Sequence, residues 1–170
     1  MNSKKNLVFL GMMGSGKSLI GSIVSKKLNV NFIDIDNEIE KQTGMTISKI
    51  FEKNGERYFR EIEEIITLKI LKRSKTIISL GGGAFLNSKI RKEILNNHIS
   101  FWLKWDEKTL LDRIKRSKKR PIANKSSKNE IIELIKKRSV IYSKAMYKID
   151  CENLTKNKIV KDIIKIYEIH

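Results

Sequence analysis

Eight residues near the N-terminus, Gly11-Met12-Met13-Gly14-Ser15-Gly16-Lys17-Ser18, constrain the fold of this chain more than any other segment. They satisfy the pattern G-x-x-x-x-G-K-[ST] at every fixed position. They stand between an apolar run, Leu7 to Leu10, and an amphipathic stretch, Lys17 to Leu28, with Ile20, Ile23, Val24 and Leu28 at helical spacing. A strand that passes through a glycine-rich turn into a helix forms a cradle for phosphate. The glycines let backbone N–H groups turn inward, and the helix N-terminus adds the positive end of its dipole. In such a loop Lys17 reaches the β- and γ-phosphates of a nucleotide, and Ser18 offers its hydroxyl to magnesium. A glycine turn that only caps an ordinary helix is the weaker alternative, given the motif and its flanks. The motif alone names no reaction, because switches, ATPases and kinases share it.

The rest of the chain repeats the alternation. Further strands are expected over Asn31 to Asp36, Thr76 to Leu80, Ile99 to Trp105 and Lys148 to Cys151. Helical patterns lie between and after them over Arg57 to Leu71, Asn87 to Leu95, Glu107 to Ile114, Lys128 to Tyr142 and Thr155 to Ile169. Short apolar runs alternating with amphipathic stretches predict one α/β domain spanning residues 1–170, a five-stranded parallel sheet covered by helices on both faces. With 170 residues, 40% of them hydrophobic, the chain can bury one substantial core but not two.

Lys and Arg number 36 against 19 Asp and Glu, a net charge of +17, which raises the question of nucleic acid. The basic residues are spread along the whole chain, so most read as solvated surface and no nucleic-acid partner is expected. One dense run, Arg113 to Arg120, has six positive side chains in eight positions, and an anionic phosphorylated ligand would account for it. The single proline, Pro121, lies in the very polar segment Lys115 to Lys128, which is too polar to bury itself and is expected to form a mobile loop. The one cysteine, Cys151, can form no internal disulfide and reads as a small buried hydrophobe. No run approaches the ~18–20 apolar residues of a membrane span, and Met1 to Lys5 does not open a signal peptide. No membrane association is expected, and the expected location is cytoplasmic.

Four further segments carry candidate chemistry. Asp34 and Asp36 end the second strand two residues apart, so both are expected on one face. One carboxylate near a metal and one accepting a proton would suit phosphoryl transfer to a hydroxyl. An ordinary helix N-cap at Asp36 fits the spacing equally well. In Phe59-Arg60-Glu61-Ile62-Glu63 an arginine stands among acids on a helix whose exposed side is expected to carry Glu61, Glu63, Glu64 and Lys69; exposed ion pairs are the plainer reading. Gly81-Gly82-Gly83 follows a strand at the sheet edge where open α/β sheets bind ligands, although a flexible turn is the alternative. Arg138 occupies a slot on the apolar stripe of Ile131, Leu134, Ile135, Ile141 and Tyr142, where a guanidinium either meets an anion or snorkels to the surface.

Together, and in this order, these motifs resemble the shikimate kinases, a family of nucleoside-monophosphate-kinase-like P-loop kinases; the likeness runs from Leu7 to about Cys151. The resemblance implies a three-layer P-loop kinase fold with a mobile lid at about 113–128. It implies ATP binding by Gly14, Ser15, Gly16, Lys17, Ser18, Leu19, Arg113 and Arg120, with Arg113 placed for the adenine. Magnesium would be held by Ser18 and, through water, by Asp34. Shikimate would be bound by Asp36, Arg60, Gly81, Gly82, Gly83 and Arg138, with Asp36, Lys17 and Arg120 as the catalytic residues. Glu63 completes the F-R-x-x-E segment, Arg120-Pro121 resembles the lid's R-P-L-L, and Arg138 with Tyr142 resembles an R-x-x-x-Y helix. The departures are Leu19, where the family commonly has threonine, and Ile122-Ala123 in place of two leucines. Neither alters a group that carries charge or protons. The expected partners are ATP, ADP and shikimate, and the chain is expected to act as a monomer. A gluconate kinase or an adenylate-kinase relative would share the phosphate loop and basic lid without needing the D-x-D, F-R-E and G-G-G combination.

Overall fold

The structure, a computed structural model, describes residues 5–116 and 126–170. Five parallel strands, β1 (Leu7–Leu10), β2 (Asn31–Asp34), β3 (Thr76–Ser79), β4 (Ile99–Lys104) and β5 (Tyr147–Asp150), form one sheet in the order β2-β3-β1-β4-β5. Among the described residues seven α-helices connect and flank them: α1 (Lys17–Leu28), α2 (Ile35–Thr43), α3 (Ile47–Leu71), α4 (Ser88–Asn97), α5 (Glu107–Lys115), α6 (Lys128–Tyr142) and α7 (Lys156–Tyr167).

The alternation of side chains along each strand explains the layers. On β1, Val8 and Leu10 enter one core with Ile39, Ile66, Phe85 and Ile135, while Leu7 and Phe9 enter a second with Val24, Ile159 and Ile163. Helices α2 to α6 therefore cover one face and α1 with α7 the other. Gly21 lets α1 approach the sheet: a Cβ there would stand 2.6 Å from the Phe32 ring. Cys151 is fully buried beside β5, and burial pushes its thiol up to about 12.

Several boundaries differ from the sequence expectation, and one of them matters for the site. The second strand stops at Asp34, and Ile35, expected to continue it, opens α2. Asp34 is that helix's N-cap, accepting from the Asn37 N–H at 3.3 Å, while Ile35 and Ile39 bury themselves one turn apart. Asp34 and Asp36 thus do not share a strand face, and the N-cap role falls to Asp34 rather than Asp36. Helix α3 begins ten residues before the expected Arg57, interrupted at Gly55, whose φ of 82° and ψ of 171° no helix contains. Residues 117–125, which hold Arg120 and Pro121 of the expected lid, lie outside the described residues. Arg113 belongs to α5 and Lys128 opens α6.

Candidate active site

Among the described residues six of the seven helices begin with a side-chain cap, supplied by Asp34, Thr46, Asn87, Asp106, Ser127 and Thr155. Helix α1 has none. Its N-cap is Gly16, in the left-handed region at φ 86°, so the first N–H groups of α1 face outward without a side-chain acceptor. An uncapped N-terminus at the carboxyl edge of a parallel sheet is a site for an anion. Gly11 at the start of the loop has φ 140°, and a Cβ there would press 3.0 Å from the Leu103 carbonyl, so backbone angle and space both require glycine. Lys17 is 8% exposed and folds its ammonium back over the loop, donating to the carbonyls of Gly11 at 2.9 Å and Met12 at 3.1 Å.

Beside this loop lie hard oxygen donors from three elements. Ser18 Oγ on α1 donates to Asp34 Oδ2 at the end of β2, at 2.5 Å, and stands 3.4 Å from Ser79 Oγ at the end of β3. A hydroxyl and a carboxylate on the rim of a phosphate cradle suit magnesium, which keeps several waters and takes its remaining ligands from phosphate oxygens. Among the described residues no three His, Cys, Asp or Glu side chains cluster as a metal cage, so any such ion would need the nucleotide to complete its shell.

The glycine triplet after β3 draws the other candidates together. A Cβ on Gly81 would lie 2.7 Å from both Asp36 Oδ1 and Glu63 Oε1; one on Gly82 would lie 3.3 Å from Arg138 Nη1; one on Gly83 would lie 2.7 Å from Arg60 Cζ. The triplet is therefore a close-packed floor under two acids and two guanidinium groups, which decides against a merely flexible turn. Tyr142 donates its hydroxyl to the Gly82 carbonyl and fixes this floor from α6; burial pushes its phenol up to about 12.

Arg138 is 5% exposed, so it does not snorkel. Its Nη1 meets a weak acceptor, Met12 Sδ at 3.8 Å, the guanidinium also lies against the Tyr142 hydroxyl, and among the described residues its buried Nε has no hydrogen-bond partner. A buried guanidinium left short of acceptors is prepared to receive an anion. The Arg60 side chain is 29% exposed, and its Nη1 donates to Glu63 Oε2 at 2.7 Å. Its Nη2 pairs with Glu56 at 3.0 Å, a residue exposed enough to be displaced by a ligand.

Glu63 is where the sequence expectation fails most clearly. Expected on the exposed side of α3, it is 2% exposed. Burial pushes its carboxyl above the ordinary value, while Arg60 and Arg138 pull it back. On Arg60 burial pulls the pKa down, but Glu63 and Glu56 together leave it raised. Charge on an amphipathic helix normally faces water, and only its partner Arg60, three residues earlier, and the F-R-x-x-E resemblance hinted otherwise. Of the residues expected to hold nucleotide, Leu19 is half exposed on the outer side of α1, and Arg113 stacks over the Trp105 ring. Trp105 itself was expected only as a strand end.

One cavity of about 470 Å³ unites the two halves: Lys17, Ser18 and Asp34 line one part, and Asp36, Arg60 and Arg138 the other. A nucleotide phosphate chain at the first part would face a carboxylate-bearing, hydroxyl-bearing molecule at the second.

Comparison with known proteins agrees over nearly the entire chain. The family model described as shikimate kinase matches residues 13–168. A shikimate kinase of Thermodesulfovibrio yellowstonii is 41% identical over 165 residues, covering 96% of this chain and 95% of the relative. A solved shikimate kinase from Acinetobacter baumannii in complex with shikimate has a TM-score of 0.90 at 30% identity, covering 96% of this chain and 92% of that one. The shikimate kinase of Aquifex aeolicus has a TM-score of 0.85 at 34% identity, with 96% of both chains covered. Since sequence and backbone point to the same group of proteins from the phosphate loop to the last helix, this chain belongs to the shikimate kinase family.

Proposed function

We propose that this chain is an ATP-dependent kinase that transfers the γ-phosphoryl group to the 3-hydroxyl of shikimate, giving shikimate 3-phosphate and ADP for the synthesis of chorismate and aromatic amino acids. The observation that carries the reading is the single cavity in which a phosphate cradle, an aspartate and two converging arginines face one another.

Shikimate is a small acid with one carboxylate and three hydroxyls, and its recognition needs cations at one end and a proton acceptor at the other. Arg138, short of acceptors, and Arg60, sharing its fork with an exposed glutamate, take the carboxylate. Asp36, held beside Gly81, accepts the 3-hydroxyl proton as the hydroxyl oxygen attacks the γ-phosphorus and the bond to the β-phosphate oxygen breaks. The N–H groups of Gly14 and Gly16 with the N-terminus of α1 hold the phosphates; the Ser15 N–H, which donates to the Met12 carbonyl at 3.1 Å, joins them on leaving that carbonyl, and Lys17 leaves its loop carbonyls for the β- and γ-oxygens. Magnesium, held by Ser18 and through water by Asp34, would neutralise charge on those oxygens. Arg120, outside the described residues, is assigned to the transferring phosphoryl group by its resemblance to the lid arginine of the family. Gly82 and Gly83 supply the wall between the arginines. The enzyme is assigned to the cytoplasm as a single-domain monomer; among the described residues no helix is long and apolar enough to cross a membrane.

Replacing Asp36 by Asn tests the reading. It keeps size and removes the base, so kcat is expected to fall about 10²- to 10⁴-fold while ATP affinity stays within a few fold. Near-normal turnover in that variant would reduce Asp36 to a residue of the first helical turn.

A further inference from the structure

Two residues outside the cavity grip the phosphate-binding loop from behind. Strand β4 pairs beside β1, so Trp105, directly after Lys104, emerges at the same sheet edge as the loop. Its indole Nε1 donates to the Ser15 carbonyl at 2.9 Å. Its ring carries the Arg113 guanidinium, with Cζ 3.6 Å from the centroid, and Arg113 Nη1 reaches the Gly14 carbonyl at a longer 3.4 Å. Two consecutive loop carbonyls are thus held by one stacked pair. The platform is firm, because Trp105 packs partly buried against both hydrophobic cores of the sheet.

A trans peptide points its carbonyl and the following N–H in opposite directions. Holding the Ser15 carbonyl toward Trp105 therefore turns the Gly16 N–H the other way, at the uncapped start of α1. Gly14 and Gly16, on either side of Ser15, both have positive φ, a region glycine enters without preferring it to its alternatives. A loop so built would sample other settings if nothing held it, and ordering it would weaken every phosphate ligand. Stacking of Arg113 on the indole adds a cation–π attraction that keeps the guanidinium at the loop.

We propose that Trp105, with Arg113 stacked on it, is a positioning residue for the nucleotide: it presets the Gly14–Gly16 backbone for phosphate and acts on ATP and ADP rather than on shikimate. The proposal rests on the reading that this loop binds ATP, but not on the identity of the acceptor.

The test measures ADP affinity by calorimetry and the KM for each substrate. Trp105→Phe keeps a ring beneath Arg113 and loses the N–H. It is expected to weaken ADP and raise the KM for ATP by about 3- to 10-fold, the worth of one hydrogen bond, with the shikimate KM within twofold. Trp105→Ala should weaken ADP further, and adding Arg113→Ala to it should cost less than Arg113→Ala costs alone, because the arginine has already lost its platform. If the Ala variant fails to fold, the Phe variant decides. A Phe variant with a lower melting temperature but wild-type ADP affinity would make Trp105 purely structural and overturn the proposal, as would equal rises in both KM values. ADP titration needs no acceptor, so a wild-type protein that binds ADP but leaves shikimate untouched would sink the acceptor reading alone.

Discussion

Replacing Gly81 by alanine puts a methyl group where two carboxylates already lie. The added carbon would stand 2.7 Å from Asp36 Oδ1 and 2.7 Å from Glu63 Oε1. Ordinary contact is about 3.5 Å, so each oxygen must retreat by roughly 0.8 Å. Gly81 is not among the glycines with positive φ, so alanine's backbone is tolerated and the whole effect is one of space. Glu63 has little room to yield, being 2% exposed and bound to Arg60 at 2.7 Å. Asp36 must then move away from the place proposed for the acceptor hydroxyl, and a displacement near 1 Å in a reacting group costs about 10²-fold. We therefore expect kcat to fall by about 10²-fold. Overpacking should also cost about 1–3 kcal/mol, which lowers Tm by about 2–12 °C in a chain of this size. Steady-state kinetics by coupled ADP release gives the first figure and a thermal melt the second; ADP affinity should be unchanged, since Gly81 lies on the acceptor side. A folded Gly81→Ala protein with kcat within threefold of wild type would refute the reasoning that close packing at Gly81 sets the position of Asp36.

Arg138→Lys removes the planar fork from a guanidinium that is buried and short of acceptors, so the shikimate KM should rise at least about tenfold while that for ATP changes little; equal effects on both substrates in initial-rate measurements would contradict a carboxylate role. The Glu63 carboxyl should titrate above 4.5 by carbon-13 NMR because burial outweighs its arginine neighbours, and Arg60→Met should raise it further by removing the nearer positive charge. The folded state then holds this proton more tightly than the unfolded chain, so the contribution to stability is complete below pH 4.5 and is lost as pH rises through the folded value. A melting temperature insensitive to Glu63→Gln across that window would contradict it.

The phosphate loop was legible because its requirement is local: glycines at fixed spacing, then Lys17 and Ser18, between a strand and a helix. Arg138 was legible because a charged residue broke an apolar stripe, although only the fold shows that its Nε finds no partner. Helix α2 was not. Ile33 and Ile35 alternate like strand residues, and a nine-residue helix with two buried apolar positions carries too weak a period to compete. The burial of Glu63 and the contacts of Trp105 were missed for a different reason. Their roles depend on what tertiary packing brings to them, the Gly81 backbone in one case and the Ser15 carbonyl in the other, and neither contact leaves a periodic trace. Arg120 was assigned by resemblance and lies outside the described residues.

The acceptor half of the cavity is proposed to hold shikimate, and coupled ADP release decides it: purified protein, ATP and magnesium are offered shikimate beside gluconate, a panel of sugars and nucleoside monophosphates at equal concentration. The proposed pairing of Arg60 and Arg138 with one carboxylate and of Asp36 with one hydroxyl, all lining one cavity, predicts rapid turnover with shikimate and background rates with every other acceptor. Turnover with gluconate or a nucleoside monophosphate that equals or exceeds turnover with shikimate would mean that the cavity serves another acceptor.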